Sequence, residues 1–153
     1  MKQKFIDLYM DWATRTAQLS HARRLKVGAV IVKDDSVISY GYNGMPAGWD
    51  NNCEDEIPIS PWPLESPKEL DATYTLKTKP EVLHAERNAL DKLAKRGGSG
   101  GNGAAMFSTH APCLECAKSI YGAGIKQIWY NIAYRDDSGI NFLTKSGVEV
   151  NKV

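Results

Sequence analysis

Ala104-Ala105-Met106-Phe107-Ser108, then Pro112-Cys113-Leu114-Glu115-Cys116-Ala117-Lys118-Ser119-Ile120-Tyr121, then Gln127-Ile128-Trp129-Tyr130-Asn131-Ile132 read in order as strand, helix and strand. The outer two are short apolar runs, while the middle one opens on a proline, which has no N–H to waste in a first helical turn. Upstream, the segment from Glu81 to Arg96 spaces Val82, Leu83, Ala89, Leu90 and Leu93 as a helix and meets its stop at Gly97. The glycine-rich run 97–103 contains a G-x-G-x-x-G match from Gly98, but it follows a helix and precedes a strand, the reverse of a dinucleotide loop, so it reads as a connector.

Further toward the N-terminus, Val27 to Val32 reads as a buried strand, Asp34-Asp35 as a turn, and Val37 to Tyr42 as its antiparallel partner. Residues 4–19, with Phe5, Leu8, Tyr9, Trp12 and Leu19 at helical steps, predict an amphipathic helix over the sheet. Periodicity disappears from Gly44 to Pro80, where five of the seven prolines fall between positions 58 and 80, and residues 49–80 read as a long proline-rich insertion that Trp49 and Trp62 argue is ordered. A helix or turn from Ile140 to Ser146 and a short apolar tail near Val148 close the chain. This alternation predicts one α/β domain spanning residues 1–153, with helices layered on a mixed sheet.

Composition narrows the function. Nineteen Lys plus Arg against eighteen Asp plus Glu leave a formal charge of +1, without the basic excess expected for gripping long nucleic acid, so a small ligand is the expected partner. No run approaches the roughly 18 apolar residues of a membrane span, and Asp7 and Asp11 interrupt the N-terminal apolar stretch, which predicts a cytoplasmic protein. Three cysteines, an odd and small number, point to metal or catalytic use over a disulfide framework.

The chemistry is concentrated in two short segments, His84-Ala85-Glu86 and Pro112-Cys113-Leu114-Glu115-Cys116, each at a helix start. Either is common alone: C-x-x-C serves structural zinc clips and redox pairs as well as catalytic sites. Together they supply two thiolates three residues apart on one helix face, one imidazole, and a carboxylate two residues from the imidazole. Three protein ligands leave a tetrahedral zinc ion with an open position, as catalytic zinc requires. Glu86 is then the expected proton carrier, and His84, Cys113 and Cys116 the expected zinc ligands.

The pair matches the H-x-E and P-C-x-x-C signature of the zinc deaminases, and the chain resembles the cytidine deaminase superfamily, most closely its deoxycytidylate (dCMP) deaminases. The resemblance extends from about residue 20 to 135 through Val27–Val32, the block Gly41-Tyr42-Asn43-Gly44-Met45-Pro46-Ala47-Gly48, His84–Leu90 and Thr109–Lys118. It implies a three-layer α/β/α fold around a mixed sheet of about five strands, and hydrolysis of dCMP to dUMP and ammonia for thymidylate synthesis. It also implies that Asn43 contacts the sugar, that the Ala85 amide reads the base, that a carbonyl between Ser108 and His110 receives the amino group, and that Tyr134 lines the pocket. Arg23, Arg24, Lys26 and Arg135 are the cations available to a phosphate or effector. Such enzymes are commonly homohexamers activated by dCTP and inhibited by dTTP, with Mg2+ on the triphosphate. Two other readings stay open on sequence: a nucleic-acid base deaminase of the tRNA type, and a non-catalytic zinc-stabilised binding module.

Overall fold

The computed structural model describes residues 1–58, 74–97 and 100–153. Pro61, Pro63, Pro67 and Trp62 of the insertion, and Gly98 of the connector, lie outside the described residues.

Five strands form one mixed sheet in the order β2-β1-β5-β6-β7. They are β1 (Gly28–Lys33), β2 (Ser36–Tyr42), β5 (Ala105–His110), β6 (Gln127–Ile132) and β7 (Glu149–Lys152). β1 pairs antiparallel with both β2 and β5, and the β5–β6 and β6–β7 pairs are parallel. The β1–β2 hairpin turns on Asp34 and Asp35, both at positive φ (50° and 57°), the left-handed conformation that short polar residues tolerate in a two-residue hairpin turn.

The sheet is covered on both faces, and strand parity sorts the side chains. Val30, Val32, Ala105 and Phe107 pack with Ile6, Tyr9, Met10 and Ala13 of α1 (Gln3–Ala17). Ile31, Met106 and Ile128 face the opposite layer, formed by α2 (Ala85–Arg96), α3 (Leu114–Gly122) and α4 (Ser138–Lys145), through Ala89, Leu90, Leu93, Ala117, Ile120 and Leu143. Period-2 alternation makes this division unavoidable once one face of β5 is assigned, and it sends Ser108 to the α2 side. The resulting α/β/α layering is the one expected from the sequence.

Three local expectations are corrected. The apolar stripe expected for α1 is only partly its buried face: Tyr9 is buried and Phe5 packs against the core, but Leu8, Trp12 and Leu19 are exposed, and small Ala13 and Ala17 face inward with Ile6 and Met10. Close approach decides this, because Gly28 lies so near the Ala13 carbonyl and the Ala17 amide that a Cβ there would overlap both. Next, α2 begins at Ala85, four residues later than predicted, since Leu83 exchanges two backbone hydrogen bonds with Gly44 (2.8 and 3.1 Å) and keeps the chain extended up to His84. Finally, the aperiodic insertion contains an antiparallel hairpin, β3 (Glu54–Pro58) with β4 (Tyr74–Thr78). Its anchor is not Trp49, which is exposed, but buried Cys53, packed with Ala22, Val82 and Met45.

Candidate active site

His84 and Cys113 occupy equivalent places, each the extended residue immediately before a helix. α2 and α3 cover the same face of the sheet, so the two helix starts converge at the C-terminal end of β5, a common position for ligand sites in α/β sheets. Gly139, near the start of α4, sits against the Pro112 carbonyl and the Cys113 backbone with no room for a Cβ, which fixes the cysteine loop from behind.

His84 Nδ1 lies 3.6 Å from Cys113 Sγ and 3.4 Å from Cys116 Sγ. All three ligand atoms lie within 4.8 Å of one another. Bond lengths of about 2.0 Å to nitrogen and 2.3 Å to sulfur at tetrahedral angles demand N···S edges of about 3.6 Å, so this donor set fits zinc as it stands. The Cys113 sulfur also accepts the Cys116 N–H at 3.5 Å, as the N-cap of α3.

Without metal the three groups share protons. The hydrogen bond from Cys116, followed by that from His84, holds the Cys113 thiol down to about 4. Cys116 is pushed above the thiol range, first by that same bond to Cys113 and then by burial. The His84 imidazole is raised, chiefly by its bond to Cys113. These shifts favour the thiolate form of Cys113, with Cys116 and His84 as its hydrogen-bond partners.

Glu86 is 4% exposed, and burial pushes its carboxyl above the usual carboxylate range. Its Oε1 accepts a hydrogen bond from Ser108 Oγ at 3.3 Å. Such a carboxyl, raised toward neutrality and tethered beside a metal triad, is poised to take up and return a proton.

A cavity of about 420 Å³ opens over these groups, within the range of small-ligand clefts. His84, Ala85, Glu86 and Cys113 form part of its lining, together with Asn43, Tyr134, Arg24 and Arg135. Asn43 is in the wall, but half of its amide's hydrogen-bonding capacity is engaged in holding the loop before β1: Oδ1 accepts the Val27 N–H and Nδ2 donates to the Leu25 carbonyl, both at 2.8 Å. One N–H and one lone pair remain for a ligand. Ser108 is fully buried, and its visible contact is the hydroxyl to Glu86.

The four predicted cations separate. Arg24 and Arg135 line the cavity, with the Arg135 guanidinium 5.4 Å from the centre of the Tyr134 ring. Arg23 is instead turned onto the hairpin, where it donates to Glu56 at 2.9 Å, and Lys26 is exposed outside the cavity lining. Sequence reasoning missed Lys77 and Lys79, which the hairpin brings into the wall beside Leu76 and Thr78. The run Tyr74-Thr75-Leu76-Lys77-Thr78, rich in strand-forming residues, was the available signal.

Fold and site together define a zinc-binding deaminase domain of the α/β/α type. The chain belongs to the family described as the cytidine and deoxycytidylate deaminase zinc-binding region, whose model matches residues 3–132. Among its relatives, the deoxycytidylate deaminase of Enterobacteria phage T2 is 36% identical over 154 residues, covering 82% of this chain and 79% of that protein. The human deoxycytidylate deaminase is 35% identical over 130 residues, covering 80% and 65%. The Schizosaccharomyces pombe deoxycytidylate deaminase is 34% identical over 93% of this chain, which spans 42% of that longer protein. In three dimensions the chain is similar to the dCMP deaminase of cyanophage S-TIM5 in complex with dCMP and dUMP, with a TM-score of 0.82, 41% identity, and coverage of 100% and 99% of the two chains. Among the described residues no helix is long and apolar enough to cross a membrane.

Proposed function

We propose that residues 1–153 act as one deaminase domain that hydrolyses dCMP to dUMP and ammonia. The observation that carries this reading is a buried carboxyl with a raised pKa, Glu86, beside a zinc-ready His84–Cys113–Cys116 set in a cavity whose other walls carry Arg24, Arg135, Lys77 and Lys79. The similarity to deoxycytidylate deaminases supports the choice of nucleotide.

His84, Cys113 and Cys116 hold the zinc ion, which when bound supplies the Lewis acidity that makes water nucleophilic near neutral pH. Glu86 accepts the proton from the attacking water as its oxygen bonds to C4, and passes that proton to N3 of the pyrimidine. It then takes the second water proton and delivers it to the departing amino group, so that the C4–N4 bond breaks, ammonia leaves, and Glu86 returns to its starting state. Ser108 Oγ, donating to Oε1, keeps the carboxylate turned toward the reacting atoms. The Ala85 amide is assigned to the base O2, a main-chain carbonyl between Ser108 and His110 to the amino group, Tyr134 to the pocket wall beside the base, and the free N–H of Asn43 to the sugar.

The phosphate is assigned to Arg24 and Arg135, whose planar guanidinium groups suit its oxygens. Homohexamer formation, activation by dCTP and inhibition by dTTP, with Mg2+ on the triphosphate, belong to the same proposal and rest on the resemblance. A cytoplasmic setting suits it too, since the thiolates need a reducing compartment. The test is ammonia release and the accompanying absorbance change from zinc-loaded protein given dCMP, cytidine, dCTP or single-stranded oligonucleotide. Turnover of dCMP, reduced at least about a hundredfold in Glu86→Gln, is expected. Turnover of the oligonucleotide without dCMP would assign the chain to base editing, and none at all would make it a zinc-stabilised binding module.

A further inference from the structure

β5 ends on His110, one residue beyond a hydroxyl whose hydrogen bonds can be assigned by elimination. Thr109 Oγ1 accepts the Gly28 backbone N–H at 3.2 Å and lies 2.9 Å from His110 Nδ1. A backbone N–H can only donate, so toward Gly28 the oxygen is an acceptor. Thr109 is buried, and its own hydroxyl hydrogen has one acceptor among the described residues, His110 Nδ1. The opposite sense, Nδ1–H donating to Oγ1, would strand that hydrogen in the interior, a cost that buried hydroxyl groups avoid. The chain Gly28 N–H to Thr109 O–H to His110 Nδ1 is therefore directional, and a neutral ring at its end carries its proton on Nε2.

Three further observations say where that proton points. His110 is 8% exposed, and burial lowers its pKa, which favours the neutral ring. No described residue is hydrogen-bonded to Nε2, yet the only sealed, unsatisfied side-chain nitrogen or oxygen atoms among the described residues are Glu54 Oε2 and Trp129 Nε1. The free edge of His110 is thus open, and the space it borders is the cavity shared with Glu86, Tyr134 and Arg135.

We propose that His110 is a specificity-determining residue of this cavity, presenting a fixed, neutral Nε2–H donor to an acceptor oxygen of the bound nucleotide. The proposal rests on the reading that the cavity takes a nucleotide. Because Thr109 locks the tautomer, this edge cannot accept, so it selects ligands that place an oxygen lone pair opposite it and rejects those that place an N–H or a methyl group there. It adds a donor without adding charge, unlike the guanidinium and ammonium groups elsewhere in the wall.

Two measurements test it on the zinc-loaded chain. Long-range proton–nitrogen correlations of the His110 ring are expected to show the Nε2–H tautomer near neutral pH, with the Nε2–H signal moving when dUMP is added. An Nδ1–H tautomer, or a ring signal indifferent to saturating dUMP, would overturn the proposal. In kinetics, His110→Asn keeps an acceptor for Thr109 and loses the reach into the cavity. It should raise KM for dCMP about tenfold or more with little change in kcat, while His110→Gln, which restores a donor at the Nε2 position, should recover most of that loss. Equal defects in both variants, or none in either, would reduce His110 to packing. Titration with deoxyuridine beside dUMP separates the sources of the oxygen: a shift with both places it on the nucleoside, and a shift with dUMP alone places it on the phosphate. If the wild-type chain fails to turn over dCMP, the proposed activity falls, whereas the tautomer and the dUMP response still decide the role of His110.

Discussion

One oxygen of Glu54 accepts the backbone N–H groups of both Arg23 and Arg24, at 3.0 and 3.1 Å. Glu54 is the buried residue of an otherwise exposed strand, 1% accessible, and its second oxygen lies 3.7 Å from Arg23 Nε. The insertion is thereby clamped to the segment that places Arg24 in the cavity wall. Glu54→Ala removes two charge-assisted hydrogen bonds to the Arg23 and Arg24 amides, so it should cost about 2–4 kcal/mol in denaturant unfolding. The surviving folded protein should show a raised KM for dCMP with kcat retained. Glu54→Gln, which keeps an acceptor oxygen, should lose less than half as much stability, and an Ala variant as stable as wild type would show that the clamp carries no load.

Arg24 and Arg23 are neighbours with different assignments, and substitution should separate them. Arg24→Ala and Arg135→Ala are each expected to raise KM for dCMP about tenfold while leaving the activity on cytidine nearly unchanged, because the lost partner is a phosphate. Arg23→Ala and Lys26→Ala should change KM less than about twofold, since Arg23 is committed to Glu56 and Lys26 lies outside the cavity lining, and exposed ion pairs contribute little. Steady-state kinetics on the four variants with both substrates checks this. A larger effect at Arg23 than at Arg24 would reverse the assignment.

Zinc uptake should release protons in a number set by the metal-free site. Coordination needs two thiolates and a neutral imidazole. At pH 7 Cys113, held down to about 4, brings no proton, whereas Cys116, pushed up by Cys113 and by burial, must lose one. His84, raised chiefly by Cys113, loses a fraction of another. Between one and two protons per zinc are therefore expected from titration calorimetry in buffers of different ionisation enthalpy. Affinity should fall as the pH drops through the His84 range toward 4, because protons then compete for all three donors. Release of no proton at pH 7 would mean that Cys116 is already a thiolate.

Gly41, in β2, touches the helix that carries Glu86. A Cβ at this position would overlap the Ala85 carbonyl and the Ala89 amide, so Gly41→Ala must push α2 away from the sheet. Overpacking of this kind costs about 1–3 kcal/mol. Here the displaced turn is the one holding His84 and Glu86, so kcat should fall by more than the loss of stability accounts for, with zinc affinity reduced as well. Gly44→Ala, where no atom lies within 4 Å of the added carbon, is the control and should be close to neutral.

By itself the sequence determined the local and chemical parts of this protein. Strand and helix periods placed β1, β2, β5 and β6 within a residue or two, because each is a contiguous run whose pattern reflects which face is buried. The cluster of His84, Cys113 and Cys116 with Glu86 nearby was legible because metal chemistry restricts the residue types able to form such a set and the helix fixes their spacing. Tertiary structure decided everything that depends on contacts between distant positions. The α1 stripe read from Leu8 and Trp12 faced outward because Gly28, far along the chain, admits Ala13 and Ala17 more closely than any larger pair. The β3–β4 hairpin escaped notice because among its described residues only a carboxylate is buried, so no apolar alternation marked it, and with it went Lys77, Lys79 and the different fates of Arg23 and Arg24. Neither the bonds that occupy half of the Asn43 amide nor the proton order running from Gly28 through Thr109 to His110 has a sequence signature. Hydrogen-bond direction is settled only when all the donors and acceptors sharing a buried space are known, and the fold alone assembles that list.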